Sequence, residues 1–177
     1  MKPILVLLLS CLLAACASGP AVHTDRDPAV SFAAYRTYGW KQEPAISNPL
    51  LKQRIVAAID AELAGKGWRL VPQAEADLLL VGNVSARDEQ TIDAFYEGPG
   101  WTGWNWRREM YASGALQRVE VHTYKVGTLV LDLFDAKTQR AVWRATAEGT
   151  VPSSQERINE NAMKVVREMF AQFPAAP

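Results

Sequence analysis

The sequence opens on Met1-Lys2-Pro3, continues through Ile4 to Leu13 with only Ser10 and Cys11 interrupting the aliphatic run, and then reads Ala14-Ala15-Cys16. A short positive head, an apolar run of about ten residues and small residues at a cut site describe a secretory signal peptide. The run is too short to span a bilayer, which takes about 20 apolar residues. Leu13-Ala14-Ala15-Cys16 matches the bacterial lipobox, in which the cysteine thiol receives a diacylglycerol, the preceding bond is cut and the new amine is acylated. Cys11 then leaves with residues 1–15, and Cys16, the second of two cysteines, becomes a thioether. What folds must therefore do so without a disulfide, and thiol or redox chemistry is excluded.

Removing residues 1–15 leaves 162 of the 177, enough to bury a core as one domain. The whole chain balances 19 Lys+Arg against 19 Asp+Glu, and loss of Lys2 gives a mature formal charge of −1. Nucleic-acid binding, which needs a basic face, is not expected. Residues 16–27, rich in Ser, Gly, Pro, Thr and Asp, read as a lipidated tether. A single domain is expected over 28–177. Ala17, next to the lipidated cysteine, is not the Asp that retains lipoproteins at the inner membrane of enteric bacteria. The expected location is the periplasmic face of the outer membrane.

Within the domain, Thr37–Trp40 is β-prone. Asn48-Pro49 starts a helix, with Asn as N-cap and Pro at the first helical position. Leu51, Ile55, Ala58, Ile59 and Leu63 form its apolar stripe, and Gly65 and Gly67 end it. A short strand follows at Trp68–Val71, and an apolar one at Ala76–Val84. Alternation over Val119–Tyr124 and again over Leu129–Phe134 predicts strands, and Asp135–Gln139 is a turn leading into Ala141–Ala147. Ser153 with Glu156 predicts a capping box for a last helix, whose stripe runs from Ile158 to Phe173. The expected class is α+β: a two-layer sandwich with a mostly antiparallel sheet of four to five strands and two amphipathic helices on one face.

Phe32-x-x-Tyr35-x-Thr37-Tyr38-x-Trp40, Asn48-Pro49-Leu50, Ile59-Asp60-x-Glu62-Leu63, Gly67-Trp68 and Ala76-Asp77-Leu78 resemble the bacterial lipoproteins grouped as domain of unknown function 4136. Tyr124-x-Val126 to Thr138, Val142-Trp143-Arg144 and Phe170-x-x-Phe173-Pro174 are similar to the same family. The resemblance covers roughly residues 22–174 and implies an exported α+β domain. It implies no reaction.

Candidate chemistry is sparse. Glu120 and His122 share a strand face, but no HxH, HxxxH or HExxH spacing accompanies them, so no metal or other cofactor is implied. A triad could be written from Ser85, Ser113 or Ser153 with His122 and Asp132, yet no G-x-S-x-G elbow is present. Asp132 and Asp135 flank a turn, where Asp serves as a turn former or solvated charge. The feature with a functional edge is Glu97–Ala115, where Trp101, Trp104 and Trp106 stand beside Arg107 and Arg108 among several glycines. Trp and Arg dominate protein contact hot spots, a Trp face can stack on a sugar ring, and indole favours the headgroup layer. These rings would equally serve to cover an open sheet face. The sequence thus favours a lipid-anchored envelope module that binds a protein or glycan over an enzyme. The alternative is a cell-wall hydrolase.

Overall fold

The computed structural model describes residues 20–96 and 117–177, with side chains for 20–90 and 123–177. The signal segment, Cys16, Trp101, Trp104, Trp106, Arg107 and Arg108 lie outside the described residues, as do the side chains of Glu120 and His122.

Asn48 caps the first helix, α1 (Pro49–Gly65), as its sequence predicts, accepting from the amides of Leu50 and Leu51 through its side-chain oxygen. Gly67 turns the chain out of the helix at φ +86°, the left-handed region that glycine adopts without strain. The second helix, α2 (Gln155–Phe170), is capped by Ser154, whose Oγ accepts from the Arg157 amide. The reciprocal box expected of Ser153 and Glu156 is thus replaced by a single cap one residue later.

Six strands form one sheet: β1 (Ala21–Arg26), β2 (Thr37–Gln42), β3 (Arg69–Leu70), β4 (Leu78–Tyr96), β5 (Gln117–Asp135) and β6 (Ala141–Thr150), in the order β1-β6-β5-β4-β2-β3. The β1/β6, β6/β5 and β5/β4 pairs are antiparallel, while β4/β2 and β2/β3 are parallel. The sheet is therefore mixed and six-stranded, correcting the expected four to five mostly antiparallel strands. The parallel half follows from α1, since a helix crossing between strands returns the chain in its original direction. The added strand is β1, within the stretch read as tether. Of its six residues only Val22 packs against the core, so its hydrophobic signal is nearly nil.

One sheet face carries the core. Leu78 and Leu80 of β4, Leu129, Leu131 and Leu133 of β5 and Trp143, Ala145 and Ala147 of β6 alternate inward and meet Ile55, Ile59 and Leu63 of α1 and Val165, Val166, Met169 and Phe170 of α2. Phe32, Trp68, Trp143, Phe170 and Phe173 form an aromatic knot with centroids 5.0–6.4 Å apart. Edge and offset contacts of this kind add to the area they bury.

The two long strands outrun everything beside them. β2 leaves β4 after Val81, and β6 leaves β5 at Val126 opposite Thr150. Beyond these points, among the described residues, β4 and β5 pair only with each other, for nine rungs from Asp88↔Lys125 to Tyr96↔Gln117. At ~3.3 Å per residue this two-stranded ribbon extends about 30 Å past the sheet.

Candidate functional site

Three aspartates close the body of the domain. Asp77, just before β4, accepts through one oxygen from the Arg36 amide (2.8 Å), the Thr37 amide (3.0 Å) and the Thr37 hydroxyl (2.9 Å). Partial burial would raise its pKa, but these donors outweigh that and hold the carboxyl below its ordinary value. Asp135 accepts from the Lys137 and Thr138 amides inside the β5–β6 turn and from the Tyr35 hydroxyl at 2.8 Å. The Thr138 amide chiefly lowers its pKa, while burial and this carboxylate push the Tyr35 phenol up to about 12. Asp60 on α1 accepts from the Tyr38 hydroxyl (2.9 Å) and the Trp40 indole (3.0 Å), fastening helix to strand. Burial, then the hydrogen bond to Asp60, raises the Tyr38 pKa. The residues that carry the family resemblance are thus engaged with one another as structural joints.

On the sheet face away from the helices, Asp132 of β5 pairs with Arg144 of β6 through Nε (2.6 Å) and Nη2 (2.9 Å). The Asp132 side chain is 5% exposed and that of Arg144 61%, so the arginine arches over its partner. Asp132 is therefore neither a turn former nor a solvated charge, as the sequence suggested. Nor can it serve a triad with His122. Both lie on β5, ten residues apart, which is about 33 Å of extended strand.

Further along this face, where the ribbon leaves the sheet, Arg87 reaches Glu89 through Nε (2.7 Å) and Glu148 through Nη2 (2.9 Å). The Tyr124 hydroxyl donates to Glu89 at 3.1 Å, and Thr128 to Glu148 at 3.4 Å. The bond from Arg87 lowers the Glu89 pKa, and the bond to Glu89 raises that of Arg87. Glu89, Tyr124 and Glu148, with His23, Val126 and Thr146, line an open depression of about 430 Å³. Among the described residues, no three or more His, Cys, Asp or Glu are arranged to hold a metal ion. The cluster was missed in sequence, although Arg87-x-Glu89 on a strand places both side chains on one face.

These joints and the two-layer packing have a match. A model described as domain of unknown function (DUF4136) matches residues 22–175. The chain belongs to the DUF4136 family. A DUF4136 family protein of Bacteroides thetaiotaomicron is 14% identical, with a TM-score of 0.57 over 88% of this chain and 96% of that one. PelC of Paraburkholderia phytofirmans, solved as a dodecamer, is 15% identical, with a TM-score of 0.52 over 89% and 99%. A PDZ domain protein of Parabacteroides distasonis is 18% identical, with a TM-score of 0.56 over 90% of this chain but 37% of its own. At these identities the likeness shows the fold. No curated protein matches the chain. The DUF4136 domain begins at Val22, inside β1, so the edge strand is part of the family's unit.

Proposed function

We propose that this DUF4136 domain is a lipid-anchored module of the cell envelope that acts by binding and assembly rather than by catalysis. Cys16 carries the anchor, and the body faces the periplasm from the outer membrane. Several acyl chains at about 0.8 kcal/mol per buried methylene make such an anchor effectively permanent. The observation that carries the reading is the β4–β5 ribbon. A two-stranded ribbon is marginal by itself in water and needs a third strand or a packed face to be stable. Among the described residues no third strand pairs with these nine rungs, which leaves them as a surface open to a partner. The connection between its strands contains Trp101, Trp104 and Trp106 with Arg107 and Arg108, residue types that anchor protein contacts and stack on sugars. The dodecameric PelC, of the same fold, supports assembly as the mode of action. The partner is an envelope protein or glycan.

Two experiments test this. Cys16→Ser is expected to abolish acylation and release the chain from membranes; retention with unchanged mass would refute the anchor. Crosslinking in intact cells should capture an envelope component, and Trp101→Ala/Trp104→Ala/Trp106→Ala should abolish the capture. The same species at the same yield from a folded variant would remove the Trp segment from the reading.

A further inference from the structure

Two of the open edges of the sheet differ in character. β1 forms one: its odd-numbered residues turn to β6, as the Asp27 amide does to the Val142 carbonyl, so Val22, Thr24 and Arg26 turn their amides and carbonyls outward, the Arg26 amide meeting only Asp25 Oδ1 of its own chain at 2.8 Å. The other is the stretch of β4 above β2. There the Gln42 side chain caps the Gly82 carbonyl at 3.4 Å, and by alternation Val84, Ala86, Asp88 and Gln90 face the same free edge. Both stretches are exposed apart from partly covered Val22 and Glu89. Unpaired edges attract other strands, and charged side chains along them restrict which strands can pair.

We infer that β1 of one copy pairs antiparallel with the free β4 edge of the next, resting on the assembly reading above and naming the partner as a second copy of this chain. One register satisfies both edges: Arg26 opposite Ala86, Thr24 opposite Asp88 and Val22 opposite Gln90. The pairs Thr24/Asp88 and Val22/Gln90 exchange backbone hydrogen bonds. The Arg26 amide, which donates to Asp25 Oδ1 at 2.8 Å within its own chain, passes from that oxygen to the Ala86 carbonyl and frees it for the partner. Between the three pairs, on the face away from the helices, Asp25 comes opposite Arg87 and His23 opposite Glu89. Opposite charges in directly facing positions favour pairing, and like charges oppose it. Among the described residues Arg87 spends Nε and Nη2 on Glu89 and Glu148, leaving Nη1 for the incoming Asp25. Moving β1 two residues up β4 sets Asp25 opposite Glu89, so the charges select the register.

The fit has a geometric consequence. Within one chain Ala21 lies level with Ser85, through Glu148 and Thr128. In the pairing it lies level with Thr91, six residues or about 20 Å further along. That stagger carries the incoming strand clear of β2, whose last partner is Val81. The joined surfaces differ, so the contact is heterologous and repeats from copy to copy.

Cysteines at Asp25 and Arg87 test the register in the full-length chain in cells. Within a single copy these positions are three strands and six residues apart, about 25 Å, far beyond the ~7 Å limit for a disulfide. Asp25→Cys/Arg87→Cys should give a ladder of covalent multimers on non-reducing gels, while each single variant runs as the parent does. A double variant that stays monomeric overturns the inference, and so does a dimer from Arg87→Cys alone, which would mean that β4 pairs with its own copy. Charge exchange guards against misfolding. Asp25→Arg and Arg87→Asp should each reduce the sedimenting mass of the detergent-purified protein to the monomer, and the two together should restore it. Failure of the double exchange to restore assembly counts against the pairing. If the parent is monomeric while crosslinking still captures another envelope component, this inference falls and the proposed function stands.

Discussion

Replacing Asp77 by alanine removes the oxygen that answers the Arg36 amide, the Thr37 amide and the Thr37 hydroxyl together. Arg36 is exposed, and water can replace its acceptor. Thr37 is 8% exposed, so its amide loses a partner that solvent does not supply. Its hydroxyl retains one contact, because the amide at position 77 donates to Oγ1 at 3.0 Å in any variant. A hydrogen bond to a charged group contributes about 1.5–3 kcal/mol, so the expected loss is about 3 kcal/mol. For a domain of this size that lowers Tm by about 6–12 °C in a thermal melt followed by circular dichroism. Asp77→Asn keeps an acceptor and should lose about half as much. The sign with pH follows from the depressed carboxyl. Its contribution is present above the unfolded value of 3.8 and is lost as pH falls through the lower folded value. Parent and Asn variant should therefore converge in stability between about pH 5 and pH 2. An Asp77→Ala melt within 2 °C of the parent, or a stability gap independent of pH, would refute the joint.

Leu131, fully buried on the central strand, should cost about 2–5 kcal/mol as Leu131→Ala, measured by urea unfolding. Arg144→Ala takes away both the charge partner and the cover of Asp132, so water reaches the carboxylate and the cost should stay at about 1 kcal/mol in the same assay. Tyr35, with its pKa raised to about 12, should remain protonated at pH 11 in an ultraviolet titration, and Asp135→Asn should bring its transition down.

Local chemistry made much of the body legible. The Asn48-Pro49 start, the stripes Ile55–Ile59–Leu63 and Val165–Val166–Met169–Phe170, and the Asp135 turn each act within a few residues, which a sequence displays directly. The parallel pairing of β2 with β4 and β3 was not legible, because it depends on where α1 carries the chain. β1 escaped notice because an edge strand needs few apolar residues. The alternation lapses between Tyr124 and Leu129, yet β5 passes straight through Gly127. A Cβ there would lie 2.9 Å from Val151 Cγ2, so the glycine admits a close approach rather than a turn. For the candidate site, Cys16 and the Trp segment were readable as motifs. The ribbon that carries the segment was not, because its length is set by where β2 and β6 stop.

The ribbon can be separated from the fold. Glu89 and Tyr124 are direct partners whose backbone groups face each other, so residues 90–123 can be replaced by an Asn-Gly turn that closes the hairpin at that rung. Crosslinking of the shortened and full-length chains in intact cells, at matched thermal stability, then measures what the ribbon does. A docking ribbon requires that the captured envelope component disappear with it. The same component at the same yield from the shortened chain would contradict the binding role assigned to it.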